Sequence, residues 1–299
     1  MKERRSALDL GFDIFIYMFY GLFTLLCVFP FYYIFINTIS SNDLVGAAQI
    51  MFVPRGIHFS NYVNVLKLRL LPNALVITLL RTILGTALNV LCTAFVGYSV
   101  SRRELWGRKW VYRFFIVTMY FNAGIVAGYL NMQRLHLTNN FLVYIIGVIS
   151  VFNLILVKTY IESVPESLHE SAEIDGAGYL HIFFRIMLPL CTPILATIAI
   201  FTAVGHWNSF MDTVMYIRDQ RLFTLQYILW QYFNEAEQLA RNIQLMLASG
   251  GTVSAPAVTL TSTAVKMTVA MVITLPVLCV YPFFQKYFVR GIMIGAVKG

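Results

Sequence analysis

Glu170-Ser171-Ala172-Glu173-Ile174-Asp175-Gly176, with Pro189 thirteen residues further on, is a polar stretch in a chain otherwise built of apolar runs. Pro165 suits the first turn of a helix. Residues 166–175 contain good helix formers. Gly176 suits a left-handed position at a helix C-terminus. Gly178 adds freedom, and Tyr179, Phe183 and Ile186 continue as a second helix into the next apolar run. The spacing predicts a short helix, a sharp turn and another helix lying at a membrane face. Ala172 is small enough to let another surface approach, and Glu170 and Asp175 place charge at the rim. An amphipathic interfacial loop is the plainer reading; a docking surface for a soluble partner is the sharper one.

The rest of the chain sets that stretch in a membrane. Of 299 residues, 59% are hydrophobic and 12% charged, about half the charge of a soluble domain. Cys27, Cys92, Cys191 and Cys279 all fall in apolar runs, where a disulfide framework is not expected. The net charge of +8 is explained by topology rather than by nucleic acid, because Lys and Arg collect on cytoplasmic loops.

Charge-free runs predict an all-α integral membrane protein with six transmembrane helices: residues 14–36, 82–101, 114–133, 135–157, 186–205 and 267–285. The stretch 242–265 is also charge-free, but its Ser, Thr and Gly content reads as loop. Thirteen of the 22 basic residues fall on one side of this arrangement and seven on the other, which places both termini in the cytoplasm. Lys2, Arg4 and Arg5 precede an apolar run too long for a signal peptide, without a small-residue cleavage site. Two large external loops, about 37–72 and 206–265, are polar and aromatic. No separate soluble domain is expected, so residues 1–299 read as one transmembrane domain. The cytoplasmic loop covers about 161–185, and a cytoplasmic tail covers 285–299.

The loop resembles the EAA loop of binding-protein-dependent ABC importers, whose motif is Glu-Ala-Ala, three residues, Gly, nine residues, Ile, one residue, Leu-Pro. Glu170, Ser171, Ala172, Gly176, Ile186, Leu188 and Pro189 fall in register, with Ser171 for Ala as the single departure. The end of the chain, Tyr281-Pro282 through Arg290-Gly291-Ile292-Met293-Ile294-Gly295-Ala296-Val297-Lys298-Gly299, is similar to the tail of the maltose-type carbohydrate class. Trp207-Asn208-Ser209-Phe210 is similar to that class too. Asn37-Thr38-Ile39-Ser40-Ser41-Asn42 and Tyr281-Pro282 point to its subgroup for oligosaccharides and polysaccharide fragments, uronate-containing ones included.

The resemblance implies the type I ABC importer permease fold, alternating access, and residence in a bacterial cytoplasmic membrane. It implies coupling to an ATPase through Glu170, Ser171, Ala172, Asp175, Gly176 and Pro189. It implies a further ATPase contact through Arg290, Gly291, Gly295 and Lys298. The implied partners are a second homologous permease, two ATP-binding subunits, an extracytoplasmic sugar-binding protein and membrane lipid. No cofactor is expected in this chain: ATP and Mg would be bound by the partners, since no G-x-x-x-x-G-K-[ST] pattern is present. Two rivals remain at this point. One is a permease of the same superfamily for peptides or amino acids; the other is a non-transport assembly or sensor protein.

Substrate-pathway candidates are the polar residues in or beside the spans: Arg81, Asn89, Asn122, Asn153, His206, Trp207, Asn208 and Asp212. Amides both donate and accept, which suits hydroxyls, and aromatic faces suit pyranose rings. Asn89 and Asn153 are more often interhelical hydrogen bonds, and His206 and Trp207 lie where an aromatic belt is expected. Arg81 precedes Arg102 by roughly 31 Å of helix, near the hydrocarbon thickness. It is therefore an external-boundary cation, either a snorkelling or paired structural residue or an external-side contact for an acidic sugar. No His, Cys or carboxylate cluster has metal spacing.

Overall fold

Leu71–Ser101 carries a single charged residue, Arg81, and begins with Pro72 in its first turn, where a missing N–H costs nothing. It forms one helix, α4, and the rest of its unit is arranged around it. The structure is a computed structural model that describes residues 7–68, 70–121, 123–147, 149–248 and 262–296. Its elements are helices and turns, without strands among the described residues. They divide into two compact units, 1–68 with 231–275 and 69–230 with 276–299.

In the first unit, α1 (Ala7–Thr38) is long, apolar and exposed along most of its length. Two short helices follow, α2 (Asn42–Gly46) and α3 (Ser60–Leu66). Ile36, Val45, Ile50 and Ala264 make a small core. The segment after α1 is pinned by its polar residues: buried Asn61 donates to Thr38 O at 3.0 Å and to Asn42 Oδ1 at 2.9 Å. The Asn-Thr-Ile-Ser-Ser-Asn stretch is thus a hydrogen-bonded corner.

In the second unit, α5 (Arg108–Tyr120) and α6 (Gly124–Arg134) precede α7 (Val151–Ser163). The loop helix α8 (Ser167–Ile174) leads through α9 (Tyr179–Ile182), a π-helical turn at Phe183–Met187 and α10 (Leu188–Leu190) into α11 (Thr192–Asn208). Then comes α12 (Met211–Tyr216), while α13 (Leu225–Ala248) and α14 (Ser262–Ala296) each have residues in both units. α4 packs on both α7 and α11, and glycines allow the close approach. A Cβ at Gly97 would lie 2.9 Å from Val157 Cγ1 on α7, and one at Gly85 would lie 2.7 Å from His206 Nε2 on α11.

Among the described residues, Leu10–Thr38 and Leu71–Ser101 are each long and apolar enough to cross a membrane alone. Two broken pairs could each count as one more span. The expected run 114–133 is two helices, α5 ending at Tyr120 and α6 starting at Gly124. The expected run 135–157 is not one helix. His136 and Asn139 are left-handed, a 3-10 turn occupies Phe141–Tyr144, and α7 starts only at Val151. Hydropathy misses the reason: Asn139 accepts from Arg218 N and Asp219 N at 3.0 and 2.8 Å, and Asn140 caps the 3-10 turn.

The run 186–205 bends by 80° at Cys191. Pro193 has no N–H for the Pro189 carbonyl, and Thr192 Oγ1 donates to that oxygen instead, at 2.6 Å. The stretch 242–265, expected as loop, is helical at both described ends: α13 runs to Ala248 and α14 starts at Ser262. Asn242–Ala248 is rich in Leu, Met, Gln and Ala, and its lack of charge does not weaken those helix formers.

Candidate functional site

Two places in the second unit gather the predicted residues: the α8 loop and a cleft beside α4 and α11. α8 ends as its sequence dictates. Gly176 has φ 79°, its N–H donates to Glu173 O, and Ala177 N–H donates to Ala172 O, both at 2.9 Å. That pair of bonds is a Schellman motif, which satisfies the last carbonyls of the helix and needs a left-handed residue. No heavy atom lies within 4 Å of where a Gly176 Cβ would sit. The requirement for glycine there is one of backbone conformation and not of space.

The helix has two faces. Glu170, Ser171, Glu173, Ile174 and Asp175 are exposed, with Ile174 at 86% an apolar side chain standing in the open. His169 and Ala172, three residues apart and hence on one face, are buried. Ala172 therefore packs into its own chain, with Tyr98, Val157, Ile161, Ile182, Phe183 and Met187, and is not open to an approaching surface. Pro189 is exposed and begins the turn before the 80° bend.

Sequence reasoning missed His169. Its Nε2 lies 2.9 Å from Tyr98 Oη and its Nδ1 3.5 Å from Glu173, so it joins α8 to the end of α4. Burial, reinforced by the Arg102 charge, holds its pKa below the usual 6.5, so the ring favours its neutral form. The helical spacing of His169 and Ala172 was the available signal. Glu166, also missed, sits 3.8 Å from Arg102 and 3.6 Å from Arg103, tying the start of α8 to the segment after α4.

The cleft has a volume of about 620 Å³, and Arg81, Asn89, Asn153, His206 and Asp212 line it together with Tyr144 and Ser209. Five of the eight pathway candidates thus meet at one place. Arg81 is 2% exposed. It pairs with Asp212 through both carboxylate oxygens, donates to Ser209 O at 3.2 Å and lies 4.5 Å above the Tyr144 ring. This favours the paired structural reading and does not leave a boundary cation open to solvent. Tyr144 Oη in turn donates to Leu222 O at 2.8 Å and meets Thr213 Oγ1 at 2.9 Å. Asn89 Oδ1 accepts from Thr93 Oγ1 at 3.4 Å within its own helix.

Trp207 is buried, so it is not part of an exposed aromatic belt. Asn208 Oδ1 accepts from Gln226 at 3.2 Å, outside the cleft lining. Asn122 and Lys298 lie outside the described residues. Arg290, Gly291 and Gly295 fall within α14.

Residues 89–294 match the family described as "Binding-protein-dependent transport system inner membrane component". The chain is 33% identical to the polygalacturonan/rhamnogalacturonan transport system permease protein YtcP of Bacillus subtilis (strain 168), over 96% of this chain and 98% of that one. It is 28% identical to the melibiose/raffinose/stachyose import permease protein MelC of the same organism, over 90% and 91%. A crystal structure of a bacterial ABC transporter involved in the import of the acidic polysaccharide alginate superposes with a TM-score of 0.82 at 30% identity. The match covers 96% of this chain and all of that one.

Proposed function

The chain belongs to the binding-protein-dependent transport system inner membrane components, and from that premise we propose that it is a membrane subunit of an ATP-driven importer of oligosaccharides, uronate-containing ones included. It is an all-helical permease of the type I ABC importer fold and a transport subunit, not an enzyme. Its residues 1–299 act as one permease domain with six spans and both termini in the cytoplasm. It works beside a second permease, two ATPase subunits that bind ATP and Mg, and an external sugar-binding protein.

The observation that carries the mechanism is the two-faced α8 with its left-handed end. Its exposed face, with Glu170, Ser171, Ile174 and Asp175, docks on the ATPase. Its inner face grips the transmembrane helices: His169 holds Tyr98 of α4, and Ala172 lies in the same core as Phe183, Met187 and Ile194 of the path into α11. Phe183 meets Phe95 edge-on and Tyr98 at a tilt, with ring centroids 5.4 Å apart in each case. When ATP closes the ATPase pair, α8 moves as a rigid piece, and α4 and α11 move with it. The cleft beside those two helices then changes its access. Arg290, Gly291, Gly295 and Lys298 of the tail give the ATPase a second contact.

Acidic oligosaccharides are supported by what relatives carry. YtcP is a polygalacturonan/rhamnogalacturonan permease and the superposed transporter imports alginate. In the cleft, Asn89, Asn153 and His206 offer hydrogen-bonding groups to hydroxyls. The Arg81 charge is already matched by Asp212, so an anionic sugar would meet a neutral wall rather than a bare cation. The complex reconstituted in liposomes, with ATP on the ATPase side and the sugar-binding protein outside, tests the reading. Accumulation of labelled oligogalacturonate over a neutral maltodextrin and over a dipeptide is expected. Preferential accumulation of the dipeptide would overturn it.

A further inference from the structure

Beside the coupling loop, and apart from the sugar cleft, lies a basic cleft of about 650 Å³ lined by Arg103, Leu105, Gly107, Arg108, Lys109, Trp110, Tyr112 and Lys158. Four of these residues are cations and no carboxylate is among them. Arg108 and Lys158 share one acid, Glu162, at 2.5 and 2.7 Å. Arg108 is further fixed by donating from Nε to Val100 O at 2.9 Å, and Lys158 lies 4.7 Å over the Tyr112 ring. Arg103 is largely exposed and touches Glu166 at 3.6 Å. Lys109 has no acidic partner among the described residues. The cleft therefore holds excess positive charge on side chains that are partly fixed in place.

Its surroundings are those of a lipid headgroup. Trp106, 95% exposed, and Trp110 stand beside it, as indoles do at the membrane interface. From the cleft, α5 leads away with Phe114, Val117 and Tyr120 exposed at successive i, i+3 positions, an apolar track on which an acyl chain can lie. A charged recess continued by an apolar helix face matches an amphiphile, whereas a soluble anion uses only the recess. Basic pockets between helices on the cytoplasmic side are suited to acidic headgroups, and a recess of this size falls in the ordinary range of small-molecule sites.

We infer that this cleft binds the phosphodiester headgroup of an acidic phospholipid. Arg103 and Lys109 meet the phosphate, and the acyl chains run along α5. The proposal rests on the importer reading only for placing the cleft at the cytoplasmic leaflet. Because Arg103 also contacts Glu166, a bound headgroup competes for the cation that steadies the start of α8, so the lipid sits where it can tune coupling.

The test uses the complete complex in detergent, stripped of loosely held lipid, with retained lipid counted by native mass spectrometry, so it needs no transport. Retention of phosphatidylglycerol but not of phosphatidylcholine is expected. Arg103→Gln/Lys109→Gln should weaken phosphatidylglycerol binding about thirtyfold, the ratio two basic side chains supply near a lipid surface. Arg103→Lys/Lys109→Arg should retain it. If the double variant assembles poorly, Lys109→Gln alone should still weaken binding about fivefold. Equal retention of phosphatidylcholine, or undiminished phosphatidylglycerol in the variants, overturns the proposal. Displacement of the lipid by millimolar inorganic phosphate that binds equally well alone would assign the cleft to a soluble anion and overturn the lipid source.

Discussion

Arg81 and Asp212 are not equivalent halves of their ion pair, and the difference predicts unequal damage. Arg81 is 2% exposed while the Asp212 side chain is 22% exposed. Removing the arginine, as Arg81→Gln, leaves a carboxylate that keeps Ser209 Oγ at 3.1 Å and its bond from Thr213 N at 2.9 Å. It can also reach water in the cleft. Removing the carboxylate, as Asp212→Asn, leaves a guanidinium held by the Ser209 carbonyl and the Tyr144 ring. Breaking a buried pair costs about 3–5 kcal/mol. Arg81→Gln belongs at about 3 kcal/mol and Asp212→Asn nearer about 5 kcal/mol on the same scale. Replacing both, as Arg81→Met/Asp212→Leu, should recover much of the loss, because no charge is left buried. The assay is the apparent melting temperature and yield of the assembled complex, with uptake Km measured in parallel. Lower yield in the order Asp212→Asn, then Arg81→Gln, with normal Km in the surviving complexes, is expected. Arg81→Gln with wild-type yield and melting but a raised Km would refute the reasoning, since the charge would then act on substrate.

Two further outcomes are expected. Because the His169 pKa is lowered in the folded loop, protonation favours opening it. The loop should be fully stable above about pH 6.5, lose stability as pH falls below that value, and level off below the lowered pKa. Amide exchange of residues 167–177 at pH 7.5 and at pH 5.5 checks this, and the pH dependence should vanish in His169→Gln. Deleting residues 285–299 spares the apolar helix Thr263–Cys279, so insertion should survive while ATPase stimulation by the loaded sugar-binding protein falls; unchanged stimulation would remove the tail from the coupling path.

What could be read in the sequence was local. The end of α8 was legible because a Schellman motif is a short-range device, and Gly176 is the residue that tolerates its left-handed step. Partners distant in sequence were not legible. His169 meets Tyr98 from 71 residues away, and Arg81 meets Asp212 from 131. Arg81 therefore reads as a boundary cation, and His169 carries no role in the sequence, until the fold brings their partners in. The runs 114–133, 135–157 and 186–205 read as continuous helices because hydropathy sums apolar content and ignores where single polar groups hydrogen-bond. Asn139 and Asn140 redirect 135–157 through bonds to Arg218, Asp219 and Leu142. Ala172 reads as open to another surface from its small size alone, and size carries no direction; its i, i+3 relation to buried His169 does.

That α8 transmits work from the ATPase to α4 and α11 is tested most directly by the amount of sugar moved per ATP hydrolysed in reconstituted complexes carrying Gly176→Val. A β-branched residue at φ 79° is strained by about 2 kcal/mol, enough to open the Schellman turn in most molecules. No atom is near enough for its Cβ to clash, so assembly should be spared. The account predicts continued ATP hydrolysis with at least about tenfold less sugar moved per ATP. A variant that assembles with the turn opened and keeps the wild-type ratio would contradict it.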